Sequence, residues 1–169
     1  TVTDPSRVKN LRLTLRYHGG AVVFLNGREI GRQNIVETKD GVDLAEPYPL
    51  EAYVDGDGTL ITLRGDEPLW KQKPPPETAR RIAGRVRTMT VRIPSGALRQ
   101  GTNLLAVEIV RAPYHRVVSE QTALSKNHGD HTTFELTWNT CEVKSIRLVA
   151  DGADGIVPSV IRPEGFQVW

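Results

Sequence analysis

The sequence predicts an all-β fold, an antiparallel sandwich of two sheets, and three observations carry this prediction. In residues 11–17 apolar side chains alternate with polar ones, the period of two expected for a strand with one buried face. Asn26-Gly27, after the apolar run 21–25, is a dipeptide that readily adopts positive φ at both positions and closes two-residue hairpins. Only residues 77–84 have a helical pattern. Many short strands with almost no helix are typical of sandwiches.

The predicted strands follow one another at short intervals along the chain. In chain order they span residues 11–17, 21–25, 28–32, 50–54, 60–64, 88–93, 104–111, 133–138 and 143–149. The turn sequence Asp55-Gly56-Asp57-Gly58 joins the fourth strand to the fifth as a hairpin. The strand at 104–111 is apolar on both faces, which predicts a central position in its sheet. Among sandwiches, a jelly roll is the form that these strands favour.

One domain accounts for most of the chain. Its 169 residues are enough to bury a sizeable core, and we assign residues 1–150 to the sandwich. Residues 66–85 form an insertion between two strands, and long ordered loops in compact domains are often binding elements. Residues 151–169 are rich in Gly and Pro but end in apolar side chains, a pattern that fits either a last strand or a linker to a further domain.

The charge balance argues against a nucleic-acid partner and against membrane insertion. The formal net charge is only +2, which is too small to draw the whole protein to a polyanion, and no apolar run is long enough to span a bilayer. Cationic side chains are concentrated in residues 71–92, where seven Lys and Arg accompany one Glu. Such a segment is either a solvated surface or, through the guanidinium forks of arginine, a site for an acidic glycan.

Motifs for catalysis are missing from the sequence. It has no Gly-x-Ser-x-Gly elbow, no phosphate-binding glycine loop with a lysine, and no local signature that pairs its single cysteine with a histidine. Glu108 and Glu135 lie in predicted strands, where an outward-facing glutamate is far commoner than a catalytic one. We therefore predict a protein that is not an enzyme.

Two separated segments carry a family pattern. In the first, residues 16–34, a tyrosine and a glycine precede an apolar strand that ends at Leu25-Asn26-Gly27 and is followed by a glutamate-containing strand and Arg32. The second, residues 98–108, reads LRQGTNLLAVE. Together they resemble galactose-binding-domain-like jelly rolls, which occur as accessory modules of bacterial secreted glycosidases and surface proteins. The family commonly has two acidic residues where this chain has His18-Gly19, so no role of those acids carries over.

The resemblance implies a non-catalytic module of a larger extracellular or cell-surface bacterial protein. Such a module would hold a polysaccharide or oligosaccharide, neutral or acidic, through aromatic and arginine side chains at the loop end of the sandwich. The alternative is a structural or interaction domain that braces a neighbouring catalytic domain of the same chain and has no ligand of its own. With either role, the resemblance implies a parent protein that is a glycoside hydrolase or another secreted enzyme.

Carbohydrate recognition needs flat aromatic surface against the CH faces of a sugar and planar polar groups for its hydroxyls. Trp70 and Lys71 lie in the insertion, where no core alternation accounts for the tryptophan. Arg111, Tyr114 and His115 directly follow a predicted strand, at a position where the loops of a jelly roll meet. We predict that these five residues bind the ligand. The alternatives are a tryptophan that anchors its own loop and a loop with only a structural role.

The resemblance implies that a structural calcium ion, which related jelly rolls often carry, is a possible cofactor. Calcium prefers carboxylate and carbonyl oxygens, and Asp40, Asp43 and Asp130 are acids near strand ends. The two carboxylates of turn 55–58 are assigned to turn geometry instead. The group His128-Gly129-Asp130-His131 contains zinc-type ligands. We expect exposed loop residues there, because ligands so close in sequence rarely close on one ion.

Overall fold

The computed structural model describes residues 1–38, 41, 43–61, 63–64, 73–124, 134–135, 139–152 and 154–156. Within these residues the strands are β1 (Arg12–His18), β2 (Gly20–Leu25), β3 (Arg28–Gln33), β4 (Ile35–Glu37), β5 (Asp43–Ala45), β6 (Leu63–Arg64), β7 (Arg87–Arg92), β8 (Leu105–Val110), β9 (Phe134–Glu135) and β10 (Glu142–Val149). The α-helices are α1 (Pro76–Ala83) and α2 (Arg116–Leu124), and turns of 3-10 helix lie at Pro5–Arg7, Leu50–Ala52 and Ser95–Ala97. None of the helices in this part of the chain is long and apolar enough to cross a membrane.

Two three-stranded antiparallel sheets make up the body of the fold. Sheet A has the order β10-β1-β7, and sheet B has the order β3-β2-β8. Two smaller pairs, β4 with β5 and β6 with β9, are also antiparallel. The predicted all-β class and antiparallel pairing are therefore confirmed. The consecutive strands β1 and β2 lie in different sheets, and Gly19 alone separates them.

Strand β1 shows why an alternating pattern produces a strand here. Leu13, Leu15 and Tyr17 are fully buried, while the residues between them lie on the opposite face of sheet A. Burial of a side chain of this size contributes roughly 1.5–3 kcal/mol relative to exposure. A shift of the register by one residue would lose all three contributions at once, so the burial pattern fixes the pairing.

The β2–β3 hairpin closes as the sequence predicts. Asn26 has a φ of 53° and Gly27 a φ of 82°, the two positive values that a type I′ turn requires. The side-chain oxygen of Asn26 accepts a hydrogen bond from the Leu104 N–H at 2.9 Å, and its amide nitrogen donates to Asn103 Oδ1 at 2.9 Å. The turn is thereby joined to the residues that lead into β8, the other neighbour of β2 in sheet B.

The two sheets share one apolar cluster. It contains buried side chains from β1 and β7 of sheet A and from β2 of sheet B, and Leu105, Val107 and Ile109 of β8 pack against it. A second cluster, built around Tyr48 and Tyr53, joins segment 45–61 to helix α2. The second cluster supports the end of the molecule where β8 leads into α2.

The predicted strand at 50–54 is wrong. Leu50–Ala52 forms a turn of 3-10 helix, and Val54 meets Leu60 only through an isolated bridge. Prolines at positions 47 and 49 remove two backbone donors just before this segment, which disfavours a ladder there. The predicted turn at 55–58 is present, because the N–H of Asp55 donates to the Thr59 carbonyl at 2.8 Å.

Strand β8 and helix α2 also differ from the prediction. Among the described strands β8 lies at the edge of sheet B, and the central strand of that sheet is β2. The outward residues Ala106 and Glu108 of β8 are exposed, so the second face of this strand is not buried. Helix α2 follows β8 where the sequence analysis places only a loop. Its buried pair Val117 and Val118 is β-branched, a residue type that favours strands.

The beginning of the C-terminal segment packs back on the N-terminal residues. Gly152 forms an antiparallel bridge with Lys9, and Ile156 forms one with Val2. These are the contacts of a chain that returns to the domain, one of the two arrangements that the sequence leaves open. Residues 157–169 lie outside the described part of the chain.

Candidate functional site

The structure describes four of the predicted site residues. Arg111, Tyr114 and His115 lie in the link between β8 and α2, and Asp43 is the first residue of β5. The remaining four, Trp70, Lys71, Asp40 and Asp130, lie outside the described residues.

The link between β8 and α2 is fixed to the domain at two points. Ala112 is buried, and its N–H donates to the carbonyl of Thr140 at 3.1 Å. The hydroxyl of the buried Tyr53 donates to the carbonyl of Pro113 at 3.2 Å. A loop that is held by a buried residue and satisfied backbone groups opens at a higher cost than a free surface loop. The backbone that carries the next side chain is therefore held in place.

His115 forms hydrogen bonds with the first turn of helix α2. Its Nδ1 atom accepts a hydrogen bond from the Val117 N–H at 3.2 Å, and its carbonyl accepts one from the Val118 N–H at 3.0 Å. Its ring also lies against that of Tyr53, with 6.0 Å between the ring centroids. Nδ1 serves as a cap for the helix, so Nε2 is the ring nitrogen that remains for a ligand.

Tyr114 is the exposed aromatic side chain of this loop. It is 45% exposed, whereas the other three tyrosines of the chain are buried. Arg111, three residues earlier, is exposed as well. An exposed ring on an anchored backbone offers a flat apolar surface, and ordering that surface for a ligand costs little further entropy.

Arg87 organises the crossing between the two sheets, a role that the sequence analysis does not predict. Its guanidinium carbon lies 4.1 Å from the ring centroid of Tyr48. The guanidinium donates to the carbonyl of Gly19 at 2.8 Å and to that of Glu46 at 2.9 Å. The hydroxyl of Tyr48 in turn accepts a hydrogen bond from the Gly19 N–H at 2.8 Å. These contacts hold the segment before Tyr48 against the end of β1.

Gly19 itself occupies a position that no larger residue fits. Its φ is +96°, in the region that side chains rarely adopt. A Cβ atom would collide with the carbonyl oxygen of Val110 and would lie 2.7 Å from that of Thr140. Glycine at position 19 is therefore required by the close approach of three backbone segments.

The described residues of the basic segment 71–92 do not form one patch. Arg80 and Arg81 both bind Glu77, at 2.9 and 3.2 Å. Arg85 is 4% exposed and donates through Nε to the carbonyl of Ala52 at 2.7 Å, and burial lowers its pKa to about 10. Arg85 and Arg87 therefore serve packing, whereas Arg80 and Arg81 are paired with an acid of their own helix. Inward alternation with Met89 and Val91 on β7 is the sequence signal that could have placed Arg87 on the core side.

His18 lies next to this crossing and is mostly buried. Burial, followed by the nearby charge of Lys144, lowers the pKa of His18, while Glu142 opposes that change. Its Nδ1 atom is 3.4 Å from Glu142 Oε2. Because the pKa lies below its usual value, the imidazole is neutral at pH 7, and the contact with Glu142 is not an ion pair there.

Asp43, predicted as a calcium ligand, faces a cation of the protein itself. Its Oδ2 atom lies 3.4 Å from Arg32 Nη1, and the same guanidinium binds Glu29 at 2.8 Å and Glu37 at 3.5 Å. Within the described residues no three His, Cys, Asp or Glu side chains are grouped to hold a metal ion. The positive charge at Asp43 is therefore supplied by Arg32.

The acids of turn 55–58 serve local geometry, as the sequence predicts. Asp57 Oδ1 accepts a hydrogen bond from the Thr59 N–H at 2.9 Å, which lowers the pKa of that carboxyl. Asp55 accepts from the Gly56 N–H at 2.9 Å and from the Thr78 hydroxyl at 2.7 Å. The second bond ties the turn to helix α1.

The described site is therefore a loop platform that carries Tyr114, beside a packed crossing that contains Arg87, Tyr48 and Gly19. The platform has an exposed ring and an exposed guanidinium, which suit non-covalent recognition. Comparison of the chain with family models, with curated proteins and with solved structures finds no match.

Proposed function

We propose that this chain is a non-catalytic carbohydrate-binding module with a galactose-binding-domain-like jelly roll, part of a larger extracellular or cell-surface bacterial protein. The observation that carries the proposal is the 45% exposed ring of Tyr114 on an anchored backbone. Two antiparallel sheets around a shared cluster and the type I′ turn at Asn26-Gly27 support the fold assignment.

The chemistry of the platform fits a sugar. A pyranose presents CH groups on one face, and the face of a tyrosine ring attracts such weakly positive hydrogens. The exposed guanidinium of Arg111 offers several donors in one plane for hydroxyl or carboxylate oxygens. Nε2 of His115 adds one further polar group. In this proposal Trp70 and Lys71 complete the site from the insertion.

The test compares the wild type with Tyr114→Ala and Trp70→Ala on a glycan array, followed by calorimetry with the best ligand. We expect Tyr114→Ala to weaken binding about tenfold, the effect of losing about 1.4 kcal/mol of stacking. Tyr114→Phe keeps the ring and retains most of the affinity. Leu104→Ala, which removes another exposed apolar side chain, is the matched control and leaves binding unchanged. A wild type that binds no glycan in calcium or in a chelator would contradict the proposal.

A second candidate function, a domain that braces a neighbouring domain, is favoured by one specific observation. Val143, Ile146 and Leu148 of β10 lie opposite the buried residues of β1, on the same side of sheet A, yet they are 41%, 51% and 50% exposed. Such an apolar row, which the described residues leave uncovered, is a surface for another protein element. If Ile146→Ser/Leu148→Ser makes the protein more soluble without altering glycan binding, the row is a contact surface for such an element.

A further inference from the structure

Sheet A has an unusual composition on the face that points away from the core. The register of β1 with its two neighbours defines three complete cross-strand rows on this face, residues 149-12-92, 147-14-90 and 145-16-88. These nine positions hold four Arg, three Thr, one Ser and one Val, and none holds an acid. We name the four arginines, Arg12, Arg16, Arg92 and Arg147, the arginine face.

The arginine face is open and largely unneutralised. Arg16, Arg92 and Arg147 are exposed, and within the described residues none of the three forms an ion pair. Arg12 binds Asp151 at 3.2 Å, with 42% of its own side chain exposed. At the opposite end Glu142 is engaged by Lys144 at 3.2 Å. Acids thus border the surface at its two ends, while its centre carries only positive charge and hydroxyls.

The arrangement works against the stability of the sheet. Arg12 and Arg92 are directly opposite each other on neighbouring strands, and like charges in that relationship repel. The equivalent outward positions of the neighbouring rows hold threonine and serine as well as arginine. A bound anion would relieve the repulsion.

A groove of about 780 Å³ continues the arginine face beyond the end of the sheet. Arg12 and Arg92 line it, together with Lys9, Asn10 and the hydroxyl residues Ser6 and Ser95. The volume lies within the range of ligand sites. Val8, Leu11, Ile93 and Pro94 supply apolar lining. Asp151 lies at the junction of face and groove, where it accepts from Asn10 at 2.8 Å and pairs with Arg12 at 3.2 Å. Lys9 and Arg92 are therefore the cations of the groove that form no ion pair within the described residues.

We infer that the arginine face and its groove bind a linear acidic polysaccharide, one whose carboxylate or sulfate groups repeat along an extended chain. Each arginine offers a planar fork that matches a carboxylate or a sulfate, and the threonine and serine hydroxyls between them match the hydroxyls of the sugar. Arg12 and Arg16, four residues apart on one strand, are separated by roughly 13 Å. Only an extended ligand reaches both. This surface does not include Tyr114, and the inference holds whether or not the loop platform binds a sugar.

Nucleic acid fits the same charge less well. Proteins that bind single strands combine cations with aromatic side chains on which bases stack, and the nine positions contain no aromatic residue. A duplex groove is entered by a helix or a two-stranded ribbon, whereas the arginine face lies on the surface of a three-stranded sheet. The hydroxyl-bearing side chains, by contrast, are the natural partners of a glycan.

The experiment measures binding of polygalacturonate to the whole chain by calorimetry at 150 mM NaCl with a chelator present. We expect Arg16→Thr/Arg147→Thr to weaken binding at least tenfold, since threonine keeps the strand preference while removing two charges. The matched control, Arg28→Thr/Arg116→Thr, makes the same change of net charge at exposed positions outside sheet A and leaves the affinity within twofold. Tyr114→Ala also leaves it within twofold, which separates this surface from the loop platform.

Four results would overturn the inference. The first is absence of binding by the wild type, and the second is an equal loss in the control double variant. The third is a tenfold loss in Tyr114→Ala, which would move the acidic glycan to the loop. The fourth is equally tight binding of single-stranded or duplex DNA, which would make the surface a general polyanion site. Thermal melting confirms that each variant is folded, and Arg16→Glu, a single exposed substitution that reverses the charge, repeats the test should a double variant not fold.

Discussion

Arg87 lies with its guanidinium carbon 4.1 Å from the ring centroid of Tyr48 and, in the same position, donates to the carbonyl of Gly19 at 2.8 Å. One side chain of β7 thus fixes both the backbone that crosses from sheet A to sheet B and the segment that carries Tyr48. A guanidinium can do this because it is planar and has several donors in its plane, with its face left for the ring. Lysine has a single point of charge and cannot hold both partners in this way.

Arg87→Lys should therefore cost stability although it conserves charge. We expect a loss of about 2 kcal/mol in the free energy of unfolding, from the charge-assisted bonds to carbonyls and the cation–π contact. Urea denaturation followed by tryptophan fluorescence measures it. Arg28→Lys, at an exposed position of β3, is the control and should change stability by less than about 0.5 kcal/mol. Equal effects of the two substitutions would show that the contacts of Arg87 add no stability.

Three glycine-to-alanine substitutions separate two contributions to the loss of stability, the strain of a positive φ and the collision of the added Cβ atom. Gly56 has neither a positive φ nor a neighbour at the Cβ position, and its substitution should be nearly neutral. In Gly27→Ala the added Cβ atom lies in open space, but the φ of +82° is one that alanine rarely adopts. We therefore expect a loss of about 1–2 kcal/mol in the free energy of unfolding. Gly19→Ala adds a collision with the Val110 carbonyl to a positive φ, and we expect a cost above about 3 kcal/mol or loss of folding. Chemical denaturation ranks the three, and a Gly19→Ala protein as stable as Gly27→Ala would refute the close approach.

Local sequence accounts for the parts of this fold that depend on neighbours along the chain. The alternation of residues 11–17 and the Asn26-Gly27 dipeptide act within a few residues, so β1, β2 and β3 follow from them directly. Helix α2 depends on distant contacts: Val117 and Val118 are buried against the cluster around Tyr53. Burial there outweighs the strand preference of valine, and no local pattern reveals it.

The candidate site also contains one residue that local sequence predicts and one that depends on contacts between distant parts of the chain. The position of Tyr114 after an apolar strand is enough to predict an exposed loop residue, and the structure agrees. The contact of Arg87 with Tyr48 joins residues 39 positions apart in the chain. Alternation with Met89 and Val91 can place Arg87 on the core side of β7, but nothing local in the sequence shows that Tyr48 lies beside it. Residues that act through long-range pairing are those that sequence reasoning misses here.

The lowered pKa of His18 makes stability depend on pH in the range where carboxylates stay ionised. The usual pKa of about 6.5 applies in the unfolded chain, and the folded pKa is lower. Between these two values the unfolded chain binds a proton that the folded protein does not, so stability falls as pH decreases through 6.5 and levels off below the folded pKa. Urea midpoints measured from pH 8 to pH 5 should show this decline.

Two variants attribute the decline to His18. His18→Gln should flatten the stability profile between pH 7 and pH 5, because no group at that position then titrates. Glu142→Gln removes the charge that favours the protonated imidazole, so it should lower the folded pKa further and extend the decline to lower pH. A profile that keeps its slope in His18→Gln would assign the pH dependence to another group.

The pair formed by Arg12 and Arg92 predicts that a substitution which stabilises the protein also weakens its binding of polygalacturonate. Arg92→Thr removes one of two like charges that lie directly opposite each other, so it should stabilise the unliganded protein by about 0.5 kcal/mol at low salt. Screening shortens the reach of such repulsion to about 3 Å at 1 M salt, so the gain in stability should vanish there, whereas a gain from strand preference alone would persist.

The same substitution should weaken binding of polygalacturonate, because it removes a guanidinium that belongs both to the arginine face and to the groove. Urea denaturation at 10 mM and 1 M NaCl measures the first effect and calorimetry the second. A variant that is neither more stable at low salt nor weaker in binding would mean that the two guanidinium groups do not interact.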